Sequence, residues 1–290
     1  MMLLALTLLQ AAAPLTQQTG TFRSPRVRES SGIAASRAHP GVLWTHNDSG
    51  DGPYLYATDL SGADRGALLV AGARALDWED AALGPCPARY GRTGLTCVYV
   101  ADTGDNFGSR SRVQLYAVPE PDPPASAADT QRATAAADFL HVRYPDGPHD
   151  VEAVYVSPQD GAVYLVSKGQ SRAIRQYRVD RERWNDDTVV TAQLVSELPI
   201  RPDRGDGRWV TGAAIRPDGQ LVAILTYPEV YFFTPGEGGR LALVDRPKCD
   251  TPGSGVLWEA IDFLDDSTLV LTSESERSRR RGIISTVRCP

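Results

Sequence analysis

Residues 152–166 read EAVYVSPQDGAVYLV and decide the fold. Two apolar runs rich in valine and tyrosine flank the segment SPQDG. β-Branched and aromatic residues favour strands, whereas Pro, Asp and Gly favour a tight turn between them. The stretch therefore predicts a β-hairpin whose first strand starts at an acidic residue.

The same hairpin pattern occurs five times along the chain. Each copy opens its first run with an oxygen-bearing residue, in turn Ser31, Glu79, Glu152, Thr211 and Glu259. A third apolar run follows every hairpin, and a fourth follows the first four hairpins. The fifth copy reaches the end of the chain after three runs, and an unmatched strand lies near the amino terminus, around residues 21–23.

This repeat predicts an all-β fold, a single β-propeller that spans residues 19–290. We expect five four-stranded blades, with the ring closed by the N-terminal strand joining the C-terminal blade, because closure leaves no open sheet edge. Two long excursions separate the second and third copies. Six blades are the competing count if these excursions contain strands, and a β-sandwich is the competing fold.

The composition excludes several function classes. A net charge of −6 offers no long-range attraction for nucleic acid or anionic lipid. With 42% hydrophobic and 23% charged residues, the chain has the balance of a globular protein. We expect a monomer that lacks a transmembrane segment and does not bind nucleic acid.

The amino terminus resembles a secretory signal. Residues 1–9 are mostly apolar, and Ala11-Ala12-Ala13 supplies small residues of the kind found at a cleavage site. The apolar run is too short to span a bilayer. We assign residues 1–18 to an approximate signal peptide and expect a secreted or periplasmic protein.

Four cysteines follow, and none of them forms a C-x-x-C pair. An even cysteine count in an oxidising compartment favours disulfides. We expect Cys86 to pair with Cys97 and Cys249 with Cys289, whereas four free thiols are the alternative.

Acidic residues are expected to converge on one face of the propeller. Neighbouring strands of a blade are antiparallel, so the start of the first strand and the end of the second lie at the same rim of the central channel. Oxygen ligands without Cys suit Ca²⁺. The candidate calcium ligands are Glu79, Glu152, Glu259, Asp48 and Asp102. The alternative is that these residues cap loop N–H groups.

Other residue types at this rim suggest ligand contacts. Trp78 and Trp258 each precede a rim glutamate and could face a ligand, although packing between blades is the alternative. His46 and Asp102 are candidate proton acceptors, and a loop histidine without a catalytic role is the alternative for His46. Four arginines could hold an anion or form a solvated loop: Arg277, Arg279, Arg280 and Arg281.

Six segments together resemble a family of exported bacterial β-propellers, most of whose members lack an assigned activity. They are ESSGIAAS (29–36), WTHNDSGD (44–51), DWED (77–80), VYVADTGDN (98–106), DVEAVY (150–155) and WEAIDF (258–263). That family is loosely similar to phytase-like and SMP-30/gluconolactonase-like propellers. A phytase-like relationship implies several Ca²⁺ ions, a metal-bound water that attacks a phosphoester, and a basic cleft.

Three functions remain open from the sequence. The first is a secreted propeller whose calcium-binding acidic rim binds a small anionic ligand or a protein partner. The second is a calcium-dependent hydrolase of a phosphoester or lactone, in which the metal activates a water. The third is a glycoside hydrolase, which requires a pair of carboxylates. Fold alone does not decide among them.

Overall fold

The computed structural model describes residues 15–87, 94–129, 132–180, 184–203, 207–253, 255–275 and 281–289. These residues form five antiparallel sheets arranged as a five-bladed β-propeller, and none of them lies in an α-helix. The expected five blades are confirmed, and the six-bladed alternative is wrong. No helix within the described ranges is long and apolar enough to cross a membrane.

The five blades follow one another along the chain. Blade 1 comprises β2 (Ser30–Ala35), β3 (Leu43–Asn47), β4 (Tyr54–Thr58) and β5 (Ala67–Leu69). Blade 2 comprises β6 (Trp78–Pro85), β7 (Thr96–Asp102), β8 (Val113–Pro119) and β9 (Asp138–Arg143). Blade 3 comprises β10 (Val151–Val156), β11 (Val163–Ser167), β12 (Arg175–Val179) and β14 (Gln193–Glu197). Blade 4 comprises β15 (Val210–Ile215), β16 (Val222–Thr226), β17 (Glu229–Pro235) and β18 (Leu241–Leu243). Blade 5 comprises β20 (Trp258–Phe263), β21 (Thr268–Ser273), β22 (Ile283–Arg288) and β1 (Leu15–Thr21).

Two short strands extend this scheme. Strand β13 (Val189–Thr191) pairs in parallel with β9 of blade 2, and β19 (Cys249–Asp250) pairs with β17 of blade 4. A 3-10 turn (Glu237–Gly239) connects β17 to β18. Strands β13 and β19 do not pair with an inner strand, so five equivalent inner strands surround the channel.

The ring closes through the N-terminal strand, as the sequence predicts. Strand β1 pairs with β22 from Leu15 opposite Arg288 to Thr21 opposite Ile283. Residues 15–18, placed near the approximate end of the signal peptide, therefore form part of blade 5. The remainder of the expected signal peptide, residues 1–14, lies outside the described residues.

The hydrophobic core consists of five clusters, each between two neighbouring blades. Blades 1 and 2 share the cluster that contains Trp44 and Trp78, and blades 4 and 5 share the one that contains Trp258. The alternating side chains of a strand point to both faces of its sheet, so each blade packs against two neighbours. The channel is therefore lined by backbone and by the polar side chains of the inner strands.

Both expected disulfides are confirmed, and no cysteine is free. Cys86–Cys97 closes the end of the β6–β7 hairpin, and Cys249–Cys289 joins β19 of blade 4 to the end of blade 5. The proline-rich excursion after β8 runs along the edge of blade 1, where Leu69 exchanges backbone hydrogen bonds with residues 132 and 134. This contact covers an edge strand that would otherwise be exposed.

Candidate functional site

Every inner strand carries a β-bulge at the same place. The register shifts between Ser30 and Gly32 in blade 1, and the equivalent shifts occur in all five blades. The residues at these bulges are Ser31, Glu79, Glu152, Thr211 and Glu259. A bulge leaves one residue out of the ladder and redirects its side chain. The five repeat positions of the sequence are thus five equivalent bulge positions around the channel.

Two of the five bulge residues join neighbouring blades. The hydroxyl of Ser31 donates to the Glu79 carbonyl at 2.7 Å, and the hydroxyl of Thr211 donates to the Trp258 carbonyl at 2.7 Å. Each bond links one blade to the next blade in the chain. The other three bulge residues are the carboxylates Glu79, Glu152 and Glu259.

Carboxylates from three blades form two groups that share Glu79. The first group is Asp48, Asp77 and Glu79, and the second is Glu79, Asp150 and Glu152. Within each group, one oxygen from each residue lies within 4.8 Å of the others. Ca²⁺ binds oxygens at roughly 2.3–2.6 Å, so two oxygens on one ion can be about 5 Å apart. Both groups match this limit, and we call the five residues the acidic rim.

Glu79 is the central residue of the acidic rim. It is 3% exposed, and no described residue donates a hydrogen bond to its carboxylate. Burial, followed by the charges of Glu152 and the other rim carboxylates, raises the pKa of Glu79 well above its usual value. A buried carboxylate without a donor or a cation is costly, so the site favours a bound positive charge.

Gly104 permits the close approach of the loop that follows β7. A Cβ at this position would lie 2.0 Å from Oε1 of Glu79 and 2.4 Å from Oδ2 of Asp77. Any larger residue would therefore displace two rim carboxylates. The glycine of the D-T-G-D-N segment is required by this contact.

Lys168 gives the second group a fixed positive charge. Its Nζ lies 2.5 Å from Oε1 of Glu152 and 3.8 Å from Oδ2 of Asp150. Burial raises the pKa of Glu152, although Lys168 opposes that shift. Within the described ranges, no basic residue forms an ion pair with the first group. The two groups therefore differ in how their charge is balanced.

Asp102 lies outside the acidic rim and bonds to the backbone of the segment that carries Asp77. It is fully buried, its two oxygens accept from the N–H groups of Leu76 and Asp77, and Arg110 lies 3.0 Å away. Asp105 holds the same loop by accepting from the N–H of Arg110 and donating its own N–H to Asp150. Asp102 therefore positions Asp77 and lies outside both carboxylate groups, and its roles as metal ligand and proton acceptor stay predictions.

The aromatic candidates lie in the packing between blades. Trp78 and Trp258 are each 1% exposed, and their indole N–H groups donate to the carbonyls of Arg74 and Pro252, both at 2.8 Å. His46 packs edge-on against Trp78, and burial lowers its pKa. Trp78 and Trp258 are thus packed between blades, as the alternative for the tryptophans expects, and all three side chains are buried. A ligand contact of the tryptophans and a catalytic role of His46 stay predictions.

Glu259 lies on the same face but outside both groups. It is buried beside Tyr227, and burial together with Glu274 raises its pKa to about 8. Arg281 donates to the Arg23 carbonyl at 2.9 Å and so anchors the N-terminal segment. Three other anion-binding candidates, Arg277, Arg279 and Arg280, lie outside the described residues.

Two rim residues, Asp77 and Asp150, are absent from the sequence-based list of ligands. Each stands two positions before a bulge glutamate, in the segments Asp77-Trp78-Glu79 and Asp150-Val151-Glu152. The repeated Asp-x-Glu spacing is the signal that could have identified them. This spacing occurs in blade 2 and in blade 3, and each of these blades contributes one Asp and one Glu to the rim.

Below the rim, Asp80 crosses the channel. Its Oδ2 accepts from the N–H groups of Val154 at 2.9 Å and Ala213 at 3.2 Å, and its Oδ1 accepts from Ala81 at 2.8 Å. These bonds connect the inner strands of blades 2, 3 and 4. At the opposite end lies a separate cavity of about 490 Å³, with Asp262 among its lining residues. A ligand of the acidic rim therefore approaches from one face.

Exposed apolar side chains surround the rim on that face. Phe107 is 94% exposed, Leu76 is 61% exposed and Leu257 is 49% exposed. Leu76 and Leu257 precede inner strands, and Phe107 follows a second strand, so all three lie on loops beside the acidic rim. Phe107 belongs to the loop that Asp105 and Arg110 hold in place.

No family model matches the chain, and no curated protein sequence matches it significantly. The β-propeller domain of Cps50 (Swd1) from Myceliophteria thermophila shares 13% identity and a TM-score of 0.41, covering 90% of this chain and 84% of that one. A chain of the nidogen/laminin complex shares 10% identity and a TM-score of 0.47, with 90% and 84% covered. An auxiliary nutrient binding protein from Bacteroides thetaiotaomicron shares 9% identity and a TM-score of 0.46, with 96% and 76% covered. The likeness concerns the β-propeller fold alone, and the resemblance to phytase-like and gluconolactonase-like proteins stays a prediction.

Proposed function

We propose that this protein is an exported β-propeller that binds Ca²⁺ at its acidic rim and uses that face to bind a small anionic ligand or a protein partner. The observation that carries the proposal is Glu79, a buried carboxylate without a hydrogen-bond donor in the described chain. Four further carboxylates surround it. A cation is the simplest group that stabilises such an arrangement.

The chemistry of the ligands favours Ca²⁺ over transition metals. Both groups consist of carboxylates alone, without Cys or His. Hard oxygen ligands suit Ca²⁺, which takes six to eight of them, whereas Zn²⁺ prefers nitrogen and sulfur. Three carboxylates leave coordination positions for water or for oxygens of a ligand. An anionic ligand could therefore bind the ion directly.

The surroundings of the rim support a partner-binding face. Phe107, Leu76 and Leu257 expose apolar surface next to the charged entrance. An exposed aromatic side chain on an ordered loop, beside a charged patch, is the composition of a protein interaction site. The face thus combines a cation site with hydrophobic contacts.

Export is supported by the two disulfides. Disulfides persist in oxidising compartments and are rare in the cytosol of most organisms. The apolar, alanine-rich segment at residues 1–13 supports the same location. We propose a secreted or periplasmic protein on these grounds.

The two enzymatic alternatives have less support from the described residues. The hydrolase alternative assigned proton transfer to His46 or Asp102, and both side chains are buried behind the rim. The glycoside hydrolase alternative has no further observation in its favour beyond the presence of several carboxylates. The binding function therefore stands as the proposal.

The test compares thermal unfolding of the exported protein in EDTA and in millimolar Ca²⁺. We expect Ca²⁺ to raise Tm of the native protein, because a ligand that binds the folded state at 100 times its Kd stabilises it by about 2.7 kcal/mol. Glu79→Gln should abolish the increase, and Glu237→Gln on the surface should keep it. An unchanged Tm in the native protein would overturn the proposal. Chelator-sensitive turnover of a phosphoester or lactone would replace it with the hydrolase alternative.

A further inference from the structure

We propose that the acidic rim binds one divalent ion, at Asp48, Asp77 and Glu79, and that the Lys168 ammonium takes the place of a second ion between Asp150 and Glu152. This inference rests on the proposed function, because it assumes that the rim binds a cation. It adds the number of ions, the location of the ion and the role of Lys168.

The two halves of the rim are built in the same way. Blade 2 contributes Asp77 and Glu79, and blade 3 contributes Asp150 and Glu152, in both cases with one residue between them. Each glutamate lies at the bulge of its inner strand. The same backbone geometry therefore prepares two adjacent carboxylate pairs.

The residues that complete the two pairs differ in charge and in origin, because Asp48 reaches its pair from the neighbouring blade 1, whereas Lys168 belongs to the same blade as its pair. Asp48 and Lys168 occupy equivalent positions, since each directly follows the second strand of its blade. The Asp48 N–H donates to the Glu29 carbonyl at 3.0 Å, and the Lys168 N–H donates to the Asp150 carbonyl at 3.0 Å. Glu29 and Asp150 both immediately precede an inner strand, so the two bonds are equivalent. At this position, blade 1 supplies an anion to the rim and blade 3 supplies a cation.

Residue 168 is one of the few lysines in a chain whose basic residues are nearly all arginine. Lys168 and Lys248 are the two lysines among 30 basic residues, and all the others are arginine. An ammonium is a compact point charge with three donors, whereas a guanidinium is a broad planar group. Of the two basic groups, the ammonium more closely imitates a spherical metal ion among carboxylates. The side chain of Lys168 is 12% exposed, so its charge is held within the site.

A second divalent ion would conflict with this ammonium. Nζ lies 2.5 Å from Glu152 and 3.8 Å from Asp150, and the second group needs oxygens of these residues as ligands. A divalent ion and an ammonium a few ångströms apart repel each other. The first group has no such competitor among the described basic residues. The ion should therefore occupy the first group.

The experiment measures Ca²⁺ stoichiometry by equilibrium dialysis and by calorimetric titration of the whole exported protein. We expect one ion in the native protein and two in Lys168→Met, in which no ammonium lies between Asp150 and Glu152. Lys168→Arg should bind one ion because the charge is kept. Lys248→Met is the matched control and should also bind one, since Lys248 lies on the surface beside Asp250.

Each outcome separates this inference from the proposed function. Two ions in the native protein would overturn the inference and leave the proposed function in place, whereas no bound ion would overturn both. One ion in Lys168→Met would also overturn the inference. If Lys168→Met does not fold in EDTA, it should be prepared in Ca²⁺, and Lys168→Gln provides a second neutral variant with the same expected two ions.

Discussion

Glu79 and Asp80 are neighbours in the chain and are both buried, yet their carboxylates have different environments. Asp80 accepts three backbone hydrogen bonds from blades 2, 3 and 4. Glu79 accepts none from the described residues and faces four other carboxylates. Burial alone therefore does not identify a functional acid. The missing protein donor distinguishes Glu79 from Asp80, because a bound cation, a proton or water must then stabilise its carboxylate.

The channel thus has two regions with different roles. Around Asp80, backbone N–H groups of three blades bond to one carboxyl group and hold these blades together, although burial raises the pKa of Asp80. At the acidic rim, Glu79 accepts no hydrogen bond from the described residues, and the rim faces solvent. The following experiments test this division.

The largest expected effect is in Asp80→Ala. The substitution leaves the N–H groups of Val154, Ala213 and Ala81 without their acceptor, and each buried unsatisfied group costs about 1–3 kcal/mol. We expect a loss of about 3–5 kcal/mol in denaturant unfolding, equal in EDTA and in Ca²⁺. Asp266→Ala on the surface is the control. A loss below about 1 kcal/mol would show that Asp80 does not hold the blades together.

Gly104→Ala should damage the rim with a smaller effect on the fold. The new Cβ would overlap Oε1 of Glu79 and Oδ2 of Asp77, and overpacking costs typically about 1–3 kcal/mol. We expect a weakened Ca²⁺-dependent rise in Tm. Gly236→Ala is the matched control, because its φ of −110° and a nearest contact of 3.4 Å accept a Cβ. A full Ca²⁺ response in Gly104→Ala would place the ion elsewhere.

The metal-free protein should become less stable as pH rises. Burial raises the folded-state pKa of Glu259 to about 8, above its usual 4.5, so the folded state holds a proton that the unfolded state has already lost. Through Glu259, stability then falls between about pH 4.5 and 8, with a contribution of at most about 1.4 kcal/mol per pH unit. Glu79 and Glu152, whose pKa values burial also raises, add to the slope in the same direction. Unfolding in EDTA across this range measures the slope, and Glu259→Gln should make it less steep. An increase in stability with pH would contradict the environment described for this residue.

Phe107→Ser should have the smallest effect on the fold. The ring is 94% exposed, so its removal should change the unfolding free energy by less than about 0.5 kcal/mol. Binding of a protein partner, once one has been captured from the native environment, should weaken markedly while Ca²⁺ binding stays the same. Leu243→Ser, an exposed residue of strand β18, is the control. Equal partner binding by Phe107→Ser and native protein would exclude this loop from the interface.

The sequence predicts much of the fold because the repeat is local. Each hairpin is specified by its own apolar runs and turn residues, and segments such as SPQDG at 157–161 need no distant information. The missing strand of the fifth repeat and the spare strand at the amino terminus also predict ring closure. The same pattern predicts that Glu79, Glu152 and Asp48 share one face.

The sequence is less informative about individual side chains of the rim. The sequence predicts Asp102 as a ligand because it ends a second strand. In the structure, Asp102 forms an ion pair with Arg110 and accepts two backbone hydrogen bonds. Asp77 and Asp150 were missed because they precede the predicted strands. A β-bulge shifts the register by one residue and so determines which side chains of the inner strand face the rim. No particular residue type marks a bulge in the sequence.

The sequence by itself determined the architecture: five repeats of short strands, a ring closed between the chain ends, and two cysteine pairs. Local propensity and periodicity specify these features, because each repeat forms the same hairpin wherever it lies. The tertiary structure alone decided which acids remain without donors. Glu79 and Asp80 are adjacent in the sequence, which does not distinguish their environments. In the folded ring, blades 3 and 4 supply N–H groups to Asp80, whereas blades 1 and 3 bring carboxylates to Glu79.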